Sequence, residues 1–308
     1  MSVLIDERTR VVVQGIGSQG TFHARRNQQY GTQIVAGTHP KKGGSTWAEL
    51  SAPVYTTVIE AIEREGANTS MVMVPAPFAK DAILEAYGAG IQTIVCITEG
   101  VPVHDMAQIY NTLYPRQPDG TFHKEGRPVL IGPNCPGLIS PGKANVGIIP
   151  SEITKPGAVG LVSRSGTLTY QIMHELHVAG IGISTCVGIG GDPIVGSDFL
   201  DVIPRMVADP ETEAIVFVGE IGGTEEQRVG QWLAEHAPDI PVVAYVAGFT
   251  APPGKQMGHA GAIVRDGSAG GETAADKKAA LEQLGIAVGT NPTDTAELVI
   301  SRLAQSED

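Results

Sequence analysis

Apolar runs of strand length alternate with longer segments of helical spacing along the whole chain. In the first half the runs are RVVVQG, QIVAGT, PVYT, TSMVMVP, QTIVCIT and PVLIGP. Between them lie stretches such as VIEAIEREG and AKDAILEAYGAG, which carry the helical pattern. Several of the short runs are continuous Val, Ile or Met, as expected of strands buried on both faces of a parallel sheet. Residues 132–147, GPNCPGLISPGKANVG, break the rhythm with three prolines and four glycines, which marks a domain boundary. The alternation restarts with AVGLVS, GISTCVGIG, EAIVFVG, PVVAYVAG and GAIV. This order predicts two open α/β domains in sequence. Residues 114–128, YPRQPDGTFHKEGRP, are polar and aperiodic and read as a surface loop or short hairpin.

Composition narrows the class without naming it. The chain has 308 residues, 42% hydrophobic and 18% charged, enough for two ordinary domains with cores of their own. A net charge of −12 argues against non-specific nucleic-acid binding and leaves room for local basic pockets. Cys96, Cys135 and Cys186 are widely spaced, so neither a disulfide framework nor a metal site is expected. No apolar run approaches a membrane span, and MSVLIDERTR lacks a signal-peptide core, so the expected location is the cytoplasm.

The first apolar run enters Gly15, Gly17 and Gly20, spaced G-x-G-x-x-G. That fingerprint of dinucleotide binding needs a strand before it, a helix after it, and an acid about 20 residues on for the ribose hydroxyl. The acid is missing. The second run ends in THPKKGG, with Lys41 and Lys42 where the carboxylate belongs, so the ligand's ribose is expected to carry a phosphate. Other unusual loops also follow strands, where open parallel sheets collect ligands. PAPFAKD and TEG do so in the first half, and SRSGTLTY, GIGGDP, EIGG and AGFTAPPGKQMGHAG in the second.

In SRSGT, Ser165, Gly166 and Thr167 begin a helix, whose free N–H groups suit a phosphate; the alternative is a cap that satisfies only the helix. His259 stands among Gly258, Ala260 and Gly261, open to a large electrophile such as a phosphoryl group, or is simply a loop histidine bonded to backbone. Glu220, at another strand end, is able to orient an imidazole, or is an exposed loop acid. His174 and His177 have no third ligand nearby in sequence and read as solvated or packing residues. No G-x-x-x-x-G-K-[ST] occurs, so no Walker-type triphosphate loop is recognisable.

GPNCPG, LVSRSGTLTY, STCVGIGGDP, EAIVFVGEIGG and GFTAPPGKQMGHAGAI together resemble the alpha subunits of succinyl-CoA synthetase (succinate–CoA ligase), over nearly the whole chain. The resemblance implies a Rossmann-like CoA-binding domain over residues 1–133. A flavodoxin-like ligase domain carrying a phosphohistidine loop would follow over residues 134–308. It implies reversible succinyl-CoA formation, with CoA and a small diacid as substrates. ATP or GTP and Mg²⁺ would sit on a beta subunit with an ATP-grasp domain. By the same resemblance His259 is the phosphorylated nucleophile, Glu220 its charge partner, and Ser165, Gly166 and Thr167 the phosphate cradle, with Tyr170 near the substrate. Gly17, Ser18, Gln19, Lys42, Ile97, Thr98 and Glu99 would contact CoA. The chain departs from the usual G-x-T-G-x-x-G loop, which here is one residue shorter and lacks the threonine. Its longer 114–128 segment is similar to that of malate–CoA ligases, so malate is the alternative diacid. An NADP-dependent oxidoreductase and a non-catalytic CoA-binding module are the remaining readings.

Overall fold

The computed structural model describes residues 2–252, 254–264 and 271–306. Its first sheet is built from β1 (Arg10–Gln14), β2 (Gln33–Thr38), β3 (Thr46–Trp47), β4 (Ala52–Tyr55), β5 (Thr69–Val72), β6 (Thr93–Cys96) and β7 (Val129–Ile131). Helices α1 (Ser18–Tyr30), α2 (Val58–Glu65), α3 (Ala79–Gly88) and α4 (Val103–Leu113) connect them. The order is β3-β4-β2-β1-β5-β6-β7, parallel except for the short β3 edge. Without that edge it is the dinucleotide-fold order, with its switch point between β1 and β5.

The second sheet contains β8 (Gly137–Ser140), β9 (Ala144–Gly147), β10 (Pro156–Ser163), β11 (Ile183–Gly188), β12 (Ala214–Glu220), β13 (Val242–Ala247) and β14 (Ala287–Gly289). Its helices are α5 (Gly166–Val178), α6 (Phe199–Val207), α7 (Glu225–His236), α8 (Ala274–Gln283) and α9 (Pro292–Ser306). The order β14-β13-β12-β10-β11-β8-β9 contains the flavodoxin-like run of five parallel strands. Its switch point lies between β10 and β12.

The continuous apolar runs are explained by burial on both faces. In β12, Ile215 and Phe217 enter one hydrophobic cluster while Val216 and Val218 enter another. The first of these clusters runs through both sheets, joining Val13, Met71 and Ile131 to Leu138, Val162 and Phe199. Buried polar contacts add direction to this junction. Asn27 Nδ2 donates to the Gly147 carbonyl at 3.0 Å, and Thr32 Oγ1 accepts from Asn145 N–H at 2.8 Å.

One segment, GAIV, differs from the sequence expectation, and two others carry structure beyond it. GPNCPGLISPGKANVG contains a β-hairpin, β8–β9, that lies antiparallel on β11 and completes the second sheet. Its prolines and glycines mark the hairpin's ends and turn, with Leu138, Ile139 and Val146 buried between them. GAIV is not a strand. Loop bonds engage its backbone, Met257 N–H reaching Ala262 O at 2.9 Å and Gly254 N–H reaching Val264 O at 3.2 Å. The 114–128 segment is pinned to the second domain. Lys124 lies 5.2 Å from the centres of both the Tyr110 and Tyr114 rings and pairs with Asp201 of α6.

Candidate active site

A cleft of about 760 Å³ opens at the first switch point, where β1, β2, β4 and β5 end. Gly15, Gly17, His39, Lys41, Val74 and Phe78 are among its walls. The three glycines have separate tasks. Gly15 turns at φ +111°, and a Cβ on it would meet the Met73 backbone carbon at 2.7 Å. Gly17 faces open space, and Gly20 lets α1 close onto the Gly15 carbonyl, which a Cβ would meet at 1.9 Å.

The ribose-binding carboxylate is absent from the end of β2, as the sequence indicated. Lys41 lines the cleft, and Lys42 next to it is exposed as Lys41 is, its N–H bonded to His39 O. Ser18 and Gln19 are exposed in the first turn of α1. Ile97, Thr98 and Glu99 follow β6, one strand beyond this cleft. Ile97 packs on the core, Thr98 Oγ1 donates to Val74 O at 2.7 Å, and Glu99 is exposed.

At the second switch point, β10 and β12 run side by side, and their ends present Ser163 to Arg164 and Glu220. Ser165 is the N-cap of α5 and accepts from Leu168 N–H at 3.4 Å. The capping alternative therefore describes its side chain. The N–H groups of Gly166 and Thr167 still open the helix, without intrahelical partners and at its positive end. Tyr170, one turn on, is half-buried against the cluster around Ile172 and Cys186, and burial raises its phenol pKa. His174 is exposed and His177 half-buried on the same helix, in keeping with solvated and packing roles.

His259 and Glu220 meet. Imidazole Nδ1 lies 2.6 Å from Glu220 Oε2, and a carboxylate acceptor places the proton on Nδ1, leaving Nε2 with a free lone pair. Glu220 is only 6% exposed. The hydrogen bond to its carboxylate raises the pKa of His259 above the ordinary histidine value, against opposing effects of burial and of Arg164. Arg164 spans two carboxylates, with Nη1 3.6 Å from Glu220 Oε1 and Nη2 3.4 Å from Glu225 Oε2. Burial raises the pKa of Glu225, with Arg164 pulling it the other way. Arg164 Nε, Glu220 Oε1 and Glu225 Oε2 are buried without hydrogen-bond partners among the described residues.

The imidazole lies flat against Gly191, where a Cβ would come within 2.4 Å of Nε2. This support is tied to the first domain. Gly191 N–H donates to Asn134 O at 3.1 Å, and Asn134 N–H to Thr98 O at 2.9 Å. Asn134 Nδ2 also holds Asp192 Oδ1 at 2.9 Å. Sequence reasoning assigned no role to Arg164, Gly191 or Asn134. All three stand inside quoted motifs, SRSG, GIGGDP and GPNCPG, but no local pattern says what they touch. Among the described residues no cluster of His, Cys, Asp or Glu could hold a metal ion, and no helix is long and apolar enough to cross a membrane.

Comparison with known proteins agrees with both halves of this geometry. The CoA binding domain family matches residues 6–100, and the CoA-ligase family matches residues 162–287. A succinate–CoA ligase [ADP-forming] subunit alpha 2 of Archaeoglobus fulgidus is 54% identical, over 97% of this chain and 99% of its own. The malate–CoA ligase subunit alpha of Methylorubrum extorquens is 47% identical, over 99% of this chain and 100% of its own. Among solved structures, the ATP citrate lyase of Methanosaeta concilii in complex with (3S)-citryl-CoA superposes with a TM-score of 0.81 at 28% identity. That match covers 98% of this chain, which spans about half (51%) of the longer lyase chain. With near full-length identity of this order, the chain belongs to the family of succinate–CoA ligase alpha subunits.

Proposed function

We propose that the chain is the alpha subunit of a nucleoside-triphosphate-dependent succinate–CoA ligase that works through phosphorylation of His259. The observation that carries this reading is the 2.6 Å contact of Nδ1 with Glu220, which leaves Nε2 as the nucleophile at a sheet switch point. In the ligase direction, Nε2 takes the γ-phosphoryl group of the triphosphate and releases the diphosphate. A succinate carboxylate oxygen then takes the phosphoryl group from Nε2, restoring the imidazole. The CoA thiolate attacks the acyl carbon of succinyl phosphate and expels inorganic phosphate. ATP or GTP with Mg²⁺ is supplied by a beta subunit of the ATP-grasp class.

The residues of this chain act on charge. Phosphorylation of Nε2 with Nδ1 protonated leaves a cationic ring, and the Glu220 carboxylate stabilises it. The N–H groups of Gly166 and Thr167 and the Arg164 guanidinium offer donors to the phosphoryl oxygens. In the first domain, Gly17 would let the pyrophosphate approach, and Lys42, with Lys41 beside it, would offer charge to a ribose phosphate. This reading replaces the nicotinamide readings of the glycine loop, in line with the CoA binding domain family matched there.

The test uses the chain together with its beta subunit. Labelled triphosphate should give a label stable to alkali and lost in mild acid, absent from His259→Asn while CoA binding persists. Label retained in that variant removes His259 from the mechanism. Succinate and malate are assayed side by side, because the Methylorubrum extorquens relative makes malate the second reading. Turnover with malate but not succinate would replace the substrate and keep the chemistry.

A further inference from the structure

The strand end that carries Glu220 is gripped from below by a buried ion pair that no motif announces. Lys277 of α8 is fully buried at 0% exposure, and Glu226 of α7 is 2% exposed. Lys277 Nζ donates to the carbonyls of Glu220 and Gly222, each at 2.7 Å, and to Glu226 Oε2. The other oxygen, Glu226 Oε1, accepts the Glu220 N–H at 3.1 Å. All three ammonium protons and both carboxylate oxygens are therefore engaged. The peptide groups on both sides of the Glu220 Cα are held at once. Room for the carboxylate comes from Gly219, where a Cβ would lie 2.3 Å from Glu226 Oε1.

A buried pair of charges is a poor way to gain stability, since an apolar pair of similar volume holds two helices as well or better. What the pair supplies is direction. Its partners are backbone groups of residues 220 and 222, so it sets the position from which the Glu220 side chain reaches the ring.

We propose that Lys277 and Glu226 are positioning residues for Glu220, fixing the strand end so that its carboxylate meets His259 Nδ1. The proposal rests on the reading of Glu220 and His259 given above, and neither residue touches substrate. α8 follows the histidine loop in the chain.

The test is Lys277→Met/Glu226→Gln, prepared with the beta subunit. This double variant removes both charges together, and the glutamine keeps an acceptor for the Glu220 N–H. Three measurements are made on each sample: cooperative thermal melting, a 13C-histidine NMR titration with His259 assigned by its Asn variant, and the rate of His259 phosphorylation. In the double variant His259 should titrate closer to the ordinary value of about 6.5. Phosphorylation should slow by about tenfold or more, the loss expected of a weakened charge-assisted hydrogen bond, with CoA affinity unchanged. A wild-type titration and rate in a cooperatively melting double variant overturns the proposal. Loss of cooperative melting also overturns it, because the pair is then a folding element. If the wild type accepts no phosphoryl group, the functional reading falls while the titration still decides the positioning role.

Discussion

Gly191→Ala is the sharpest perturbation of the histidine site. The backbone at 191 lies outside the left-handed region, so alanine adds no conformational strain and the effect is steric. The new methyl group would lie 2.3 Å from Cδ2, 2.4 Å from Nε2 and 2.5 Å from Cγ of His259. Ordinary contact is about 3.5–4.0 Å, so the ring must retreat by roughly 1–1.5 Å. A retreat along the ring normal lengthens the 2.6 Å Nδ1 contact with Glu220 to roughly 2.8–3.0 Å and bends it out of the ring plane, so the hydrogen bond is weakened rather than lost. Bending a hydrogen bond to a charged group forfeits part of its roughly 1.5–3 kcal/mol, and a 1 Å misplacement at a reacting centre costs about 100-fold. Phosphorylation should therefore slow by about 10- to 100-fold. Stability should hardly change, because the mostly exposed loop around His259 can yield; a shift in Tm under about 3 °C is expected. The assay is the time course of acid-labile label on the complex, with CoA titration calorimetry as the control for an intact first domain. A Gly191→Ala complex labelled at the wild-type rate would mean that the ring does not rest on Gly191 when it reacts.

The nucleophile is the form without a proton on Nε2, and Glu220 raises the pKa of His259. The rate of phosphorylation should therefore climb with pH through a midpoint above the ordinary histidine value; in Glu220→Gln that midpoint should move to lower pH while the maximal rate falls about tenfold or more. An unmoved midpoint would show that the carboxylate does not set this titration. In the first cleft, calorimetry should find 3′-dephospho-CoA binding about tenfold more weakly than CoA. Lys41→Ala should close more of that gap than Lys42→Ala, since Lys41 lines the cleft, and equal gaps in both variants would contradict that assignment. Phe217→Ala, in the middle of fully buried β12, should cost about 3–5 kcal/mol in chemical denaturation, and a cost below about 1 kcal/mol would mean that the strand is not core.

Much of this protein was legible along the chain because its information is local. Continuous Val and Ile runs mark strands covered on both faces. The spacing of Gly15, Gly17 and Gly20 records the turn, the open approach and the helix contact that the structure shows. The small residues around His259 and the strand-end position of Glu220 were enough to single them out, and the motif resemblance paired them. At residues 132–147 the prolines and glycines stand where the chain passes from the first sheet, whose β7 ends at Ile131, to the second, whose β8 starts at Gly137; the same residue types also end the strands of a hairpin, which local pattern did not separate from the boundary.

Tertiary structure decided what depends on residues brought together from distant parts of the chain. The order of strands puts the ends of β10 and β12 side by side, which lets Arg164 lie between Glu220 and Glu225. The path of the β2 loop brings Lys41 to the cleft wall, with Lys42 exposed beside it. Gly191 supports the ring only because the loop after β11 is bonded back to Asn134. Lys277 looks like half of an ordinary helical lysine pair. It becomes a buried anchor because α8 packs against α7 and the end of β12, where two backbone carbonyls and a carboxylate converge on its ammonium group. Periodicity records which face of an element is apolar, and it carries no record of which other element will cover that face.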